Sequence, residues 1–377
     1  LGVLAAPDGD VSFSLAVLAD RPLEAGTQQW IFLLFAAAFL VKAPLFPLHG
    51  WVVDTYRATP IPVLVVLSAV LSKVGVYGFL RIVLPILPDA SQHFQELMII
   101  LAVVSILYGS VLAFSQEEPR LVVAYSSIAQ LGFIVLGIFS LTELGSQGAL
   151  MQMVNHGLVV AALFFIIAVL TIGARSPSLA EMGGMALRAP VLAVLFLVVA
   201  FATLAMPGSP NFVGEILILF GTFQDKLVYG LVASAGVALA AVYMIRLFQR
   251  SMHNRTAPAA EPRDLGGLDL AVIAPLTVVI VALGVYPQVM LDRTDEATTS
   301  KVEAAAAAVD GSPPEAAVPA GAVPQGSVPP QGSAPQGAAP PGAGPQDGPS
   351  GGSAPPGAGT GDAPPGGAAP PGVQVQP

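Results

Sequence analysis

The chain has 377 residues, 54% hydrophobic and only 10% charged, against a soluble norm of about 25% charged. Its mean hydropathy of +0.74 is that of an integral membrane protein. A net charge of −9 excludes the basic signature of nucleic-acid binding, and the absence of cysteine excludes disulfides, cysteine-ligated iron–sulfur clusters and c-type haem.

Residues 1–27 carry Asp8, Asp10, Asp20 and Glu24 against Arg21 and read as an acidic extracytoplasmic loop. The chain opens on Leu1 without a charged signal peptide, and the expectation is that an N-terminal part of a longer protein precedes it. Eight apolar segments follow, over 28–51, 61–86, 96–116, 119–141, 148–174, 189–222, 227–250 and 268–290; about 20 residues suffice to span a bilayer. None has the period-two alternation of a barrel strand. The expected fold is an all-α membrane bundle of about eight transmembrane helices over 28–290, two of them broken by proline. From about Thr294 the composition turns to Pro, Gly, Ala, Ser and Gln, so 291–377 is expected to be a disordered tail.

Arginine sets the orientation. The loops after the odd-numbered segments hold Arg57, Arg120, Arg175 with Arg188, and Arg250 with Arg255 and Arg263. The loops after the even-numbered ones hold Asp89 and Glu96, Glu143, and Asp225 beside Lys226. The positive-inside rule puts the arginine loops in the cytoplasm, and the tail then emerges outside.

In the first segment, WIFLLFAAAFLVKAPLFPLHGW, Lys42 stands where apolar residues are expected, and Pro44, Pro47 and His49 follow. An ammonium near the bilayer centre costs about 2.5–3.5 kcal/mol on insertion scales. Each proline lacks a donor and crowds the carbonyl four residues back, here Leu40 and Ala43. The bland alternative is a kinked helix with a snorkelling lysine. The second segment places Lys73 about a dozen residues from either end, with Tyr77 one turn on; Arg81 lies nearer the outer end and can snorkel. The plain reading of Lys73 is a structural ion pair.

The fourth segment carries Tyr125, Ser126, Ser127 and Gln130, and the fifth carries His156 beside Gln152 and Asn155. An imidazole titrates near neutrality and can relay protons, though a lone helical histidine is commonly structural. The sixth segment is too long for one straight span and holds Met206-Pro207-Gly208-Ser209-Pro210, with Glu215 just beyond. Pro210 frees the Met206 carbonyl. Glu215 serves either an ion path or the N-terminus of the resumed helix. Two broken helices in one bundle are a sequence pointer to an ion pathway. Lys42, Lys73, His156 and Glu215 are therefore the candidate relay residues, with His49, Tyr77, Tyr125 and Gln130 in support. No pattern for a metal, a nucleophilic triad or a phosphate loop accompanies them.

The runs KAPLFPLHGW, LSKVGVYGFLR, RLVVAYSSIAQLG, QMVNHG and LAMPGSPNFVGEILILFG, in that order, resemble the antiporter-like membrane subunits of respiratory complex I, NADH–quinone oxidoreductase, and among them the M type. The resemblance covers about 28–250 and implies that the chain corresponds to the seventh to fourteenth of fourteen helices. By position it implies that Lys42 is the lysine of a broken helix, Lys73 the central-axis lysine, His156 the eleventh-helix histidine and Glu215 the acidic residue of the second broken helix. It further implies proton translocation in a bacterial inner membrane, partner membrane subunits of the L, N and K types, and no cofactor on this chain, with flavin mononucleotide, iron–sulfur clusters and quinone held by partner subunits. The departures are Tyr56 and Gln130 where the family carries histidine, and a replaced small-residue turn after Arg57. Two alternatives share these residues: a cation/proton antiporter of the Mrp type or a hydrogenase membrane subunit, and an inactive scaffold copy.

Overall fold

The computed structural model describes residues 11–21, 23–254, 261 and 263–294; all belong to the compact unit Leu1–Val318. The tail expected over 291–377 lies outside them except for 291–294, where a helical stretch over 288–294 runs past the expected boundary. Asp8, Asp10 and Arg255 lie outside as well.

The described residues form helices joined by short connections. A single turn, α1 (Leu15–Ala19), precedes α2 (Ala25–Lys42). The first predicted span is therefore shorter than 28–51: regular helix stops at Lys42, because Pro44 and Pro47 cannot continue it. Two carbonyls at the end of the helix, those of Leu40 and Val41, are retaken locally. The Leu45 amide donates to the Leu40 carbonyl at 3.2 Å, and the Trp51 indole reaches the Val41 carbonyl at 3.1 Å. Helix α3 (Trp51–Ala58) then runs on as a short piece.

The second span is one 26-residue rod over Ile61–Ile86, built of α4 (Ile61–Val66), α5 (Ser72–Gly78) and α6 (Leu84–Ile86) with π-helical turns at Leu67–Leu71 and Phe79–Val83 between them. A π turn leaves one carbonyl out of register, and such turns concentrate at functional sites. A short α7 (Pro88–His93) leads to α8 (Gln95–Ser115), α9 (Pro119–Phe139) and α10 (Glu143–Ala174). The sixth predicted span divides into α11 (Pro190–Thr203) and α12 (Pro210–Asp225), separated by the anticipated break. Helices α13 (Leu227–Met252) and α14 (Gly267–Val285) follow. Seven described helices are long and apolar enough to cross a membrane; the remaining predicted span, the sixth, is the divided one, of 14 and 16 residues.

Within lipid, helices associate by close packing rather than by a hydrophobic drive. The α10–α12 seam shows how. A Cβ on Gly148 would stand 2.8 Å from the Gly214 carbonyl, and one on Gly214 would stand 2.5 Å from Gln152 Oε1. Only glycine lets these backbones touch. Helices α2, α5, α10 and α12 pack each against the next in that order, and α9 is covered on nearly all sides.

The two ends of the bundle differ in charge. At one end Arg57 pairs with Glu118 at 3.1 Å, and Arg246 and Arg250 hold Glu117 at 2.9 and 2.6 Å. Arg175 pairs with Glu261 at the same end. At the other, Gln28 donates to Asp89 and Tyr229 to Glu96. The loops grouped by sequence thus gather at common ends.

Candidate functional site

Lys73 lies in α5, directly after the first π turn. It is buried, and its Nζ donates to the Ser68 carbonyl at 2.6 Å, an oxygen that also accepts from Ser72 Oγ at 2.7 Å. The ammonium thus uses a π-turn carbonyl as its partner, and among the described residues it forms no ion pair. It forms part of the wall of a groove of about 650 Å³ between the second span and α10, with Ala69, Tyr77, Met153 and Gly157. Tyr77 is about half exposed along that groove.

Helix α10 carries Gln152, Asn155 and His156 on one face, three and four residues apart, while Met153 and Gly157 of the same helix line the groove. All three are buried. Gly157 brings α10 onto the second span, since a Cβ there would meet the Ala69 carbonyl at 2.9 Å. Lys73 is close enough to act electrostatically on the His156 ring, whose Nδ1 is buried without a partner.

Against Gln152 of this face stands Glu215, 2% exposed. Its Oε1 accepts from Gln130 Nε2 at 2.8 Å and from Gln152 Nε2 at 3.4 Å, and Gln152 Nε2 also donates to Gln130 Oε1 at 2.6 Å. Two amides from α9 and α10 therefore grip one carboxylate oxygen of α12. The other, Oε2, is buried without a partner. Glu215 does not cap its helix: Ser209 does, its Oγ accepting from the Phe212 amide at 3.3 Å. The Met206 carbonyl, released by Pro210, accepts from the Ser209 amide at 2.9 Å, and Asn155 Nδ2 ties α10 to the Pro210 carbonyl at 2.8 Å.

The other predicted residues lie apart from this line. Lys42 is exposed at the end of α2, and none of the ion pairs among the described residues includes it. Its neighbour Ala43 packs on α5 at Gly75, so the first break touches the helix that carries Lys73 without bringing the Lys42 side chain inside. His49 is buried in the first break with its ring 5.1 Å from that of Tyr108. Tyr125 is half-buried near Tyr108 and Arg57, toward the arginine end. Arg81 is exposed. Sequence reasoning passed over Tyr243 of α13, which is fully buried beside Ser126, Gln130 and Glu215; one tyrosine in an apolar run carries no signal of its own. It also passed over Asn211, fully buried with both side-chain polar atoms unpartnered.

Helices that cross a membrane, two breaks at proline, and ionisable side chains buried between them define a polytopic membrane protein of the antiporter-like kind. The sequence matches the family described as NADH:quinone oxidoreductase/Mrp antiporter, transmembrane, over residues 3–240, and the chain belongs to that family. It is 42% identical over 269 residues to NADH-quinone oxidoreductase subunit M of Mycobacterium tuberculosis, covering 70% of this chain and 48% of that protein. It is 37% identical over 287 residues to the subunit M of Rickettsia typhi, covering 75% and 57%. The chain thus spans about half the length of these curated relatives. Among solved structures it is similar to a chain of respiratory complex I from Thermus thermophilus, with a TM-score of 0.73 and 31% identity over 80% of this chain and 65% of the other. A chain of the Mrp complex from Dietzia shares the fold, with a TM-score of 0.66 and 20% identity over 79% of this chain and 65% of that one.

Proposed function

We propose that the chain is a proton-translocating membrane subunit of an NADH–quinone oxidoreductase. It moves protons along Lys73, His156 and Glu215, with Gln130 and Gln152 holding the last of these, while electron transfer runs in other subunits. The observation that carries this reading is that α10 reaches both buried groups: Lys73 is close enough to act on His156, and Gln152, one turn before His156, donates to Glu215 at 3.4 Å. Three ionisable groups buried separately would each be costly in lipid. Gathered about α10, they offer proton-holding groups along one helix. Each can hold or release a proton: Lys73 against the Ser68 carbonyl, His156 at its unpartnered Nδ1, Glu215 at its unpartnered Oε2.

Lys42, exposed beside the first break, is the entry or exit group in this reading, and His49 and Tyr77 border the route. The chain itself holds no redox cofactor; flavin mononucleotide, iron–sulfur clusters and quinone belong to partner subunits, and the membrane neighbours are of the L, N and K types. It sits in a bacterial inner membrane with its arginine end in the cytoplasm and its tail outside.

The test is proton translocation by the assembled complex in liposomes. Lys73→Ala and Glu215→Gln should each abolish most translocation with the complex intact, whereas Arg81→Ala, at an exposed position, should leave it unchanged. Full translocation in Glu215→Gln would overturn the reading.

A further inference from the structure

We propose that Ser72 is a positioning residue for Lys73. Its hydroxyl keeps the Ser68 carbonyl satisfied when the lysine gives up its proton and swings away, so the π turn beneath the lysine outlasts each transfer. The inference rests on Lys73 being a relay group, as proposed above, and adds what lets that side chain move.

The helix register comes first. In an α-helix the Ser72 amide would donate to the Ser68 carbonyl, four residues back. Here it reaches five residues back, to the Leu67 carbonyl, and the Ser68 carbonyl is freed. Two side chains take it: Ser72 Oγ at 2.7 Å and Lys73 Nζ at 2.6 Å. The hydroxyl of Ser68 itself is buried without a partner. A bare carbonyl is costly within a membrane, so the turn needs a standing donor. An ammonium that must pass its proton on cannot be that donor alone, since a departing amine strips the carbonyl. A serine bonded four residues back stays within its own helix and carries no charge.

Lys73 also has space to move into, because it stands in the wall of the groove of about 650 Å³ between the second span and α10. The titratable groups around α5 favour one exchange partner. Helix α10 brings His156, on which Lys73 acts. Helix α2 brings only Lys42 and the second π turn only Arg81, both exposed. Helix α9 brings Arg120, bonded to the Arg57 and Thr59 carbonyls, and Tyr125, toward the arginine end. Tyr77, one turn along α5, is about half exposed.

The experiment is proton translocation by the whole complex in liposomes, with cryo-electron microscopy of the same variants. Ser72→Ala should slow translocation roughly tenfold, about the worth of one hydrogen bond, with the complex intact. Ser72→Thr keeps a hydroxyl able to bond four residues back and should recover the rate. Ser234→Ala removes the same kind of bond, to the Gly230 carbonyl in α13, and should change nothing. In Ser72→Ala with Lys73→Met both donors are gone, and residues 67–71 should return to α register, while each single variant keeps the π turn. Full rates in Ser72→Ala, an equal loss in Ser234→Ala, or a π turn that persists in the double variant overturns the inference. The two proposals fail separately. If Lys73 is no relay group, Lys73→Met translocates normally while the double variant still loses the π turn. If only the serine is misassigned, Lys73→Met abolishes translocation while Ser72→Ala runs at full rate.

Discussion

Replacing Gln130 by leucine removes the shorter of the two hydrogen bonds that hold Glu215. Gln130 Nε2 donates to the carboxylate at 2.8 Å, and its Oε1 anchors Gln152 at 2.6 Å. In Gln130→Leu both bonds vanish, and Glu215 keeps only the amide of Gln152, at 3.4 Å. A buried hydrogen bond to a charged group is worth about 1.5–3 kcal/mol. Gln152, released from Gln130, can close on the carboxylate and recover part of this, so the single variant falls at the lower end, roughly a tenfold loss in translocation rate at about 1.4 kcal/mol per factor of ten. Gln130→Leu with Gln152→Leu removes both donors and should approach a hundredfold loss. The assay is proton uptake into liposomes normalised to NADH oxidised by the complex. In a Glu215→Gln background, Gln130→Leu should add little, because residues that act through one group are not additive. Wild-type rates in Gln130→Leu, or an effect that simply adds to that of Glu215→Gln, would refute the reasoning.

Three further outcomes follow from the packing and the ends. Gly148→Val puts a Cβ within 2.8 Å of the Gly214 carbonyl and the Ile218 amide. The overpacking should cost about 1–3 kcal/mol and lower the yield of assembled complex, whereas Gly26→Ala, with nothing within 4 Å, should not. A cysteine placed at exposed Asn254, beyond the arginine end, should react with an impermeant thiol reagent only in inside-out vesicles; labelling in intact cells would reverse the topology. Burial raises the Asp264 carboxyl, yet the amides of Val191, Leu192 and Leu265 donate to it at 3.0, 2.9 and 2.9 Å and hold it below the usual range. A depressed carboxyl stabilises fully above its unfolded value, near 3.9, and loses that contribution as pH falls through its folded value. Cleavage near residue 190 should therefore be faster in Asp264→Ala than in the parent at neutral pH, and the difference should disappear only below about pH 4.

The spans were legible because the bilayer demands long apolar runs, and the second break was legible because Pro207, Gly208 and Pro210 leave a helix no way through. What spacing cannot supply is the partner across a seam. Gln130, Gln152 and Glu215 are 22 to 85 residues apart in the chain and meet only because glycines let α10 and α12 touch. The π turns around Ser72–Gly78 were invisible for a different reason: a shift in hydrogen-bond register leaves no mark on an apolar pattern. Lys42 reads from sequence as deep in a span, yet the helix ends on it, and its side chain lies on the surface of the described bundle.

The two breaks meet the same difficulty with different chemistry, and the difference bears on what each can do. At the first, backbone and indole donors retake the carbonyls of Leu40 and Val41, Ser105 of α8 accepts from the Phe46 amide at 3.0 Å, and the lysine is left outward. At the second, a serine cap and a local amide close the backbone, while Asn155 of α10 bonds into the first turn of the resumed helix. Glu215 sits one turn further along and is gripped by the same face of α10 that carries His156. A movement of α12 against α10 would therefore disturb the Asn155 bond and the Gln152–Glu215 contact together. In lipid no water replaces a lost partner, so such a movement requires the carboxyl to exchange one donor for another or to take a proton. In the proposed reading that coupling of helix position to protonation belongs to this side of the bundle, while the exposed Lys42 is held by no described carboxylate.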